Sequence, residues 1–191
     1  MGESKIKILI KFLSKYVFLQ QGYCAKEMTP TIEFSLHLPN SNTRELQKGT
    51  LVLKQDPNKA GIRLQATSGC IGYQYSGSWK FKGRGPLPPS RAIEPLGYAV
   101  STQRLWLPHV RGVEGSFYAI APFSVPVGKT HRGDFGIHFD ANVPGSAGCI
   151  VLPLQDHWDI FRKIMEDCAH KNVQQIPLNV VYTMAVKREA A

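Results

Sequence analysis

A cysteine and a histidine close together in the chain are the residues best suited to covalent chemistry. His138 and Cys149 are eleven positions apart. The histidine ends an apolar alternating run, and the cysteine follows a loop rich in glycine, proline and serine. An imidazole can hold a thiol as its nucleophilic thiolate. The pair therefore predicts covalent catalysis, with one strand carrying the base and a tight loop presenting the nucleophile. A buried structural thiol is the alternative.

The alternation of residues 135–140 bears on the role of the histidine. It puts the three apolar side chains on one side of a strand and Gly136, His138 and Asp140 on the other. A histidine that fills the core would lie among the apolar residues, so this placement favours a functional role. Asp140 is predicted to orient His138 or to bind a cationic substrate group, and a backbone carbonyl is the alternative partner for the ring.

The loop before the cysteine supplies both a turn and a place for a substrate carbonyl. Pro144-Gly145 is a strong turn dipeptide, and Gly148 allows backbone conformations that other residues avoid. The main-chain amides near Gly148 and Cys149 are predicted to form an oxyanion hole.

The other three cysteines show no spacing typical of a metal site. Cys168 falls on an apolar helix face and is interpreted as a buried packing residue. A disulfide between Cys24 and Cys70 is an open alternative that the sequence does not support. No metal or cofactor is predicted.

Many short strands followed by one late helix indicate the fold class. The patterns predict strands at 31–38, 49–54, 62–67, 97–107, 116–121, 134–140 and 177–184, and a helix at about 155–171. We therefore expect a mainly β, sandwich-like domain over residues 31–186. Residues 1–30 form a separate basic N-terminal segment.

Charge narrows the class of partner. The net charge of +9 favours an anionic partner, but the basic residues are scattered and no nucleic-acid-binding motif accompanies them. An apolar stripe with interleaved lysines over residues 5–19 predicts an amphipathic helix that packs on the domain or a partner, with a membrane-surface anchor as the alternative. The lysines interrupt any membrane span or standard signal peptide.

The segment from His138 to Ile150 resembles the active site of the YkuD-type L,D-transpeptidase catalytic domain. That family carries a histidine, a spacer and then Ser/Thr-His-Gly-Cys followed by Ile or Val, and this chain has His138 and Ser146-Ala147-Gly148-Cys149-Ile150. The stretches Gly-Arg-Gly-Pro-Leu-Pro-Pro and Phe-Gly-Ile-His look like the branch of secreted effectors and phage-encoded members. The similarity spans about residues 48–153.

Two positions depart from the family pattern. Ala147 stands where the motif has a second histidine, and Val151 stands where an arginine is common. A contact to a substrate carboxylate would then come from elsewhere, and Arg132 and Arg111 are the candidates, although a surface charge is the simpler interpretation of each.

The resemblance implies acyl transfer on peptidoglycan stem peptides, without a cofactor. Cys149 would be the nucleophile and His138 its base, with Gly148 and Ser146 supporting the reacting carbonyl. An amine acceptor gives cross-linking or D-amino-acid exchange, and water gives L,D-carboxypeptidase cleavage. The alternative from another class is a non-catalytic wall-binding or virion structural protein. The implied site of action is the cell wall, outside the cytoplasm, reached from a phage, by a secretion system or in the periplasm.

Overall fold

Over residues 29–56 and 58–184 the protein is mainly β with one α-helix, as the sequence predicts for this region. The computed structural model describes residues 29–56 and 58–184. The predicted N-terminal amphipathic helix and Cys24 lie outside the described residues. The strands are β1 (Thr31–Leu38), β2 (Gly49–Lys54), β3 (Ile62–Cys70), β4 (Tyr98–Leu107), β5 (Gly115–Ala121), β6 (Ser124–Val127), β7 (Thr130–Gly133), β8 (Gly136–Phe139), β9 (Gly145–Leu152) and β10 (Gln175–Met184), and the helix α1 spans Gln155–His170.

Eight of the strands close into a barrel in the order β1-β10-β4-β5-β8-β9-β3-β2, and β6 pairs with β7 as a separate hairpin. The closed sheet replaces the sandwich-like layers expected from the sequence. It closes because β1 pairs with β2 on one side and with the last strand, β10, on the other. Closing a sheet into a barrel removes the two edge strands that an open sheet would present. The pairs β1–β10 and β8–β9 are parallel.

The alternation of β1 shows how the barrel obtains its core. Ile32, Phe34, Leu36 and Leu38 are each at most 2% exposed, and the residues between them face outward or lie half-buried. A strand with period 2 presents every second side chain to one face, so these four fill the interior.

The apolar face of α1 packs on the same core. Phe161 meets the ring of Tyr118 edge-on with centroids 5.3 Å apart, and Trp158 stacks on Phe161 at 5.6 Å. Cys168 is 4% exposed on this face, so its interpretation as a buried packing residue is confirmed. No helix within residues 29–56 and 58–184 is long and apolar enough to cross a membrane.

Two local predictions need correction. The hairpin of β6 and β7 was not predicted, because each strand has four residues and Pro126 interrupts the first. The loop predicted to run through Gly148 ends earlier, since β9 already begins at Gly145. Ladder bonds to β3 draw this glycine-rich stretch into a strand, which the local sequence alone does not indicate.

Candidate active site

Adjacent parallel strands bring His138 and Cys149 together. The register of β8 and β9 pairs Ile137 with Ile150 and His138 with Val151. Cys149 directly precedes Ile150, so it falls level with Gly136 on the face that also carries His138. Diagonal neighbours on one face of paired strands lie roughly 7–8 Å apart, within reach of long or aromatic side chains. The two residues predicted to react therefore lie diagonally across one face of two adjacent strands.

His138 is buried on the outer face of the barrel wall, 2% exposed. Phe117 of β5 is paired with it in register and stacks on the imidazole, with centroids 6.0 Å apart. The ring Nδ1 lies 2.7 Å from the carbonyl oxygen of Phe139. Burial lowers the pKa of His138, and the bond to Phe139 opposes that shift. A neutral ring that donates from Nδ1 has its lone pair on Nε2, which is the form a general base needs.

The Cys149 thiol is half-buried and protonated at rest. Its Sγ donates to the carbonyl oxygen of Asp134 at 3.8 Å, a weak bond of the kind a thiol makes. Burial raises the pKa of Cys149, whereas hydrogen bonds from the Ser146 side chain and the Gly136 main chain lower it. Both bonds favour the thiolate once it forms. Ser146, predicted as a supporting residue, thus lies beside the reacting sulfur.

A bulge lies in the main chain that leads to Cys149. Between β3 and β9 the register jumps from Ser68–Ile150 to Gly69–Ser146, so residues 147–149 have no register partner on β3. Gly148 has φ 116°, a conformation that side chains rarely adopt. Amides released from a ladder in this way are the groups that stabilise a developing oxyanion. The predicted oxyanion hole at Gly148 and Cys149 stays a prediction, supported by this backbone geometry.

Asp140 organises the loop and not the imidazole. Its Oδ2 accepts a hydrogen bond from the Gly145 amide at 3.1 Å, whereas His138 is oriented by the Phe139 carbonyl. The expectation that Asp140 orients the ring is therefore wrong, and the backbone alternative holds. Burial raises the pKa of Asp140, and the Gly145 amide opposes that shift. The carboxylate fixes the start of β9, from which the nucleophile follows four residues later.

The sequence favoured a surface position for Arg132, and this interpretation is wrong because the side chain is 3% exposed. Its Nη1 donates to the carbonyls of Trp79 and Pro86, and its Nη2 donates to those of Gly85 and Ala147. All four terminal N–H groups are thereby used. A bidentate contact from Arg132 to a substrate carboxylate is not available. Arg111 is exposed between β4 and β5, and its predicted substrate contact stays a prediction.

Both departures from the family pattern lie at the site. Val151 is fully buried and pairs with His138, so it extends the apolar wall that Phe117 begins. Ala147 is exposed, and its carbonyl oxygen lies 3.4 Å from Arg132 Nη2.

Two residues of the site escaped the sequence analysis. Phe117 covers His138, and the Asp134 carbonyl accepts the Cys149 thiol. In the sequence, Phe117 looks like any apolar strand residue. Only the long-range pairing of β5 with β8 places its ring over His138. Asp134 acts through its backbone and adopts φ 60°. An aspartate between Gly133 and a strand is the one local signal of such a turn.

Among residues 29–56 and 58–184, no three His, Cys, Asp or Glu side chains come close enough to hold a metal ion. Comparisons with known protein families, characterised proteins and solved structures found no match to this chain.

Proposed function

We propose that the protein is a cysteine acyltransferase of the L,D-transpeptidase type that acts on peptidoglycan stem peptides. The observation that carries the proposal is the placement of Cys149 and a buried, carbonyl-oriented His138 on one face of adjacent strands. A histidine that only fills the core has no need of a carbonyl-oriented ring on the same face as a half-buried thiol. The chemistry of this pair supports acyl transfer, and the resemblance of residues 138–150 supports the substrate class.

The proposed reaction begins with proton transfer from the Cys149 thiol to His138 Nε2. The thiolate attacks the carbonyl carbon between an L-centre and a D-amino acid, and amides near Gly148 hold the oxyanion that forms. Collapse of this intermediate breaks the C–N bond, and the leaving amine takes the proton from the imidazolium. A thioester on Cys149 remains. An acceptor amine or water then attacks the thioester, and His138 takes the proton of that acceptor. The C–S bond breaks, and the released Cys149 thiolate recovers the proton from the imidazolium.

Purified protein incubated with tetrapeptide muropeptides and a D-amino acid tests the proposal. An exchanged tetrapeptide supports transfer to an amine, and tripeptide alone supports the hydrolase alternative with the same thioester. No change in the muropeptides would favour a non-catalytic wall-binding or virion structural protein. Chromatography with mass detection separates these products.

Two variants make the test specific to the proposed nucleophile. Cys149→Ala should abolish product formation, and Cys70→Ala, which removes the half-buried thiol at the end of β3, should retain it. Intact mass after exposure to a carbapenem should show one covalent adduct that Cys149→Ala loses. An adduct that persists in Cys149→Ala would rule out Cys149 as the nucleophile.

The proposed substrate fixes where the protein would act. Peptidoglycan lies outside the cytoplasm, and its anionic surroundings suit a chain with a net charge of +9. Fractionation of producing cells, with activity measured in each fraction, tests this part of the proposal.

A further inference from the structure

Arg132 is the one buried cation of the site, and the reaction proposed above does not use it. It stands in β7 and is 3% exposed. The ion pairs among the described residues join Lys59 to Asp56, and Arg162 to Asp159 and Glu166, so none neutralises Arg132. Four main-chain carbonyls surround its guanidinium instead. Carbonyl dipoles satisfy the N–H groups and leave the positive charge in place.

The guanidinium lies directly against the main chain that precedes the nucleophile. A methyl group added to Gly148 would meet Arg132 Nη2 at 2.7 Å and the Phe135 ring at 2.6 Å. The same nitrogen bonds the Ala147 carbonyl at 3.4 Å. The Gly85 carbonyl accepts a second bond from Nη2 at 2.7 Å, and the Pro86 carbonyl accepts one from Nη1 at 2.6 Å. Arg132 thus links the main chain of the bulge at residues 147–149 to the main chain at residues 85 and 86 by hydrogen bonds.

We infer that Arg132 is a positioning residue for Cys149: it fixes the Ala147–Gly148 main chain and places a positive charge beside the thiol. The inference rests on the proposed role of Cys149 as a nucleophile. The planar guanidinium fork of arginine suits the positioning of a main chain because its N–H donors hold several carbonyl acceptors at fixed angles. A positive charge nearby favours a thiolate over a thiol.

The electrostatic effect acts among several groups. Arg132 lowers the pKa of Cys149 less than Ser146 and Gly136 do, and Asp134 raises it. His138 lies on the adjacent strand, level with Val151. The other titratable groups that interact with Arg132 are Tyr182, Tyr98 and Cys70. We therefore expect a modest electrostatic effect, together with a larger one on main-chain order.

Two variants separate the charge of Arg132 from its geometry. Arg132→Met removes the charge at similar length, and Arg132→Lys keeps the charge but loses the fork. The readouts are the pH dependence of iodoacetamide alkylation at Cys149, followed on the Cys149 peptide, and amide hydrogen exchange over residues 146–150. Arg63→Gln, which removes an exposed charge on β3, is the control. Far-UV circular dichroism confirms that each variant is folded.

In Arg132→Met the alkylation midpoint should rise by about half a pH unit, roughly a threefold loss of thiolate at neutral pH. In Arg132→Lys the midpoint should stay near that of the wild type while exchange over residues 146–150 becomes faster. A folded Arg132→Met with an unchanged midpoint overturns the charge part. Should Arg132→Met not fold, Arg132→Lys decides: unchanged exchange, or a midpoint displaced upward, overturns the inference.

Neither readout involves peptidoglycan, so the two proposals fail separately. Wild-type protein that leaves muropeptides unchanged, with alkylation and exchange behaving as expected, removes only the proposed function. If the wild type turns over muropeptides but neither Arg132 variant changes the alkylation of Cys149 or the exchange over residues 146–150, only the inference about Arg132 fails.

Discussion

Replacing Gly148 by alanine should harm this protein more than the same change at any exposed turn glycine. The backbone at Gly148 has φ 116°, and strained conformations of this kind cost about 1–3 kcal/mol for a residue with a side chain. The added methyl would also meet the Phe135 ring at 2.6 Å and Arg132 Nη2 at 2.7 Å. Neither neighbour moves easily, because Phe135 is 3% exposed and Arg132 is held by four carbonyls. Overpacking adds about 1–3 kcal/mol.

Gly128 is the matched control for this prediction. It also has a positive φ, 59°, but a methyl group there would meet nothing within 4 Å. Gly128→Ala should therefore cost only about 1–2 kcal/mol, the penalty of a left-handed backbone. Gly148→Ala should cost about 2–6 kcal/mol, the sum of the strain and overpacking terms above. Urea unfolding of both variants measures the difference in the free energy of unfolding.

Activity gives a second measure of the same change. A displacement of about 1 Å at a reacting centre lowers the rate roughly 10²-fold, so Gly148→Ala should lose about that much turnover. Gly128→Ala should keep wild-type turnover. Equal losses of stability in the two variants would refute the argument that Phe135 and Arg132 confine Gly148.

Three further predictions concern His138 and the loop that follows it. The lowered pKa of His138 implies that kcat/KM falls with decreasing pH at a midpoint below 6.5; a midpoint above 6.5 would contradict a neutral resting base. Phe117→Ala should expose the imidazole, move that midpoint upward toward 6.5 and cost about 3–5 kcal/mol in urea unfolding. Asp140→Ala should leave the Gly145 amide without its acceptor, cost about 1 kcal/mol and lower kcat/KM without moving the midpoint. A displaced midpoint in Asp140→Ala would show that the carboxylate acts on the ring after all.

The strands with clean alternation could be predicted from sequence alone. The predicted bounds 31–38 and 49–54 coincide with β1 and β2. In both, side chains that must be buried alternate with side chains that must not, and the turn residues beyond them end the pattern. The helix and the burial of Cys168 follow from periodicity in the same way. Local signals suffice where burial has a regular period.

The barrel closure and the role of Arg132 could not be predicted in this way. Closure depends on the parallel pairing of β1 with β10, whose partners lie about 146 positions apart, as Ile32 and Leu178 do. An arginine in a polar stretch of Thr-His-Arg-Gly is typical of a surface turn. Only the converging carbonyls of Gly85, Pro86 and Ala147 make its burial favourable, and carbonyls leave no trace in the sequence. Both features arise from distant backbone groups.

The eleven-residue spacing of His138 and Cys149 acquires a physical meaning from the path of the chain. Parallel strands that follow one another usually need a connection of a dozen or more residues. Here residues 140–149 suffice, because the first part of β9 serves as the return and pairs with β3 before Ile150 joins β8. The return ends at Cys149, level with Gly136, at the start of the strand whose far end carries His138. The same tight return that makes the parallel pairing possible therefore sets Cys149 and His138 on one face of adjacent strands.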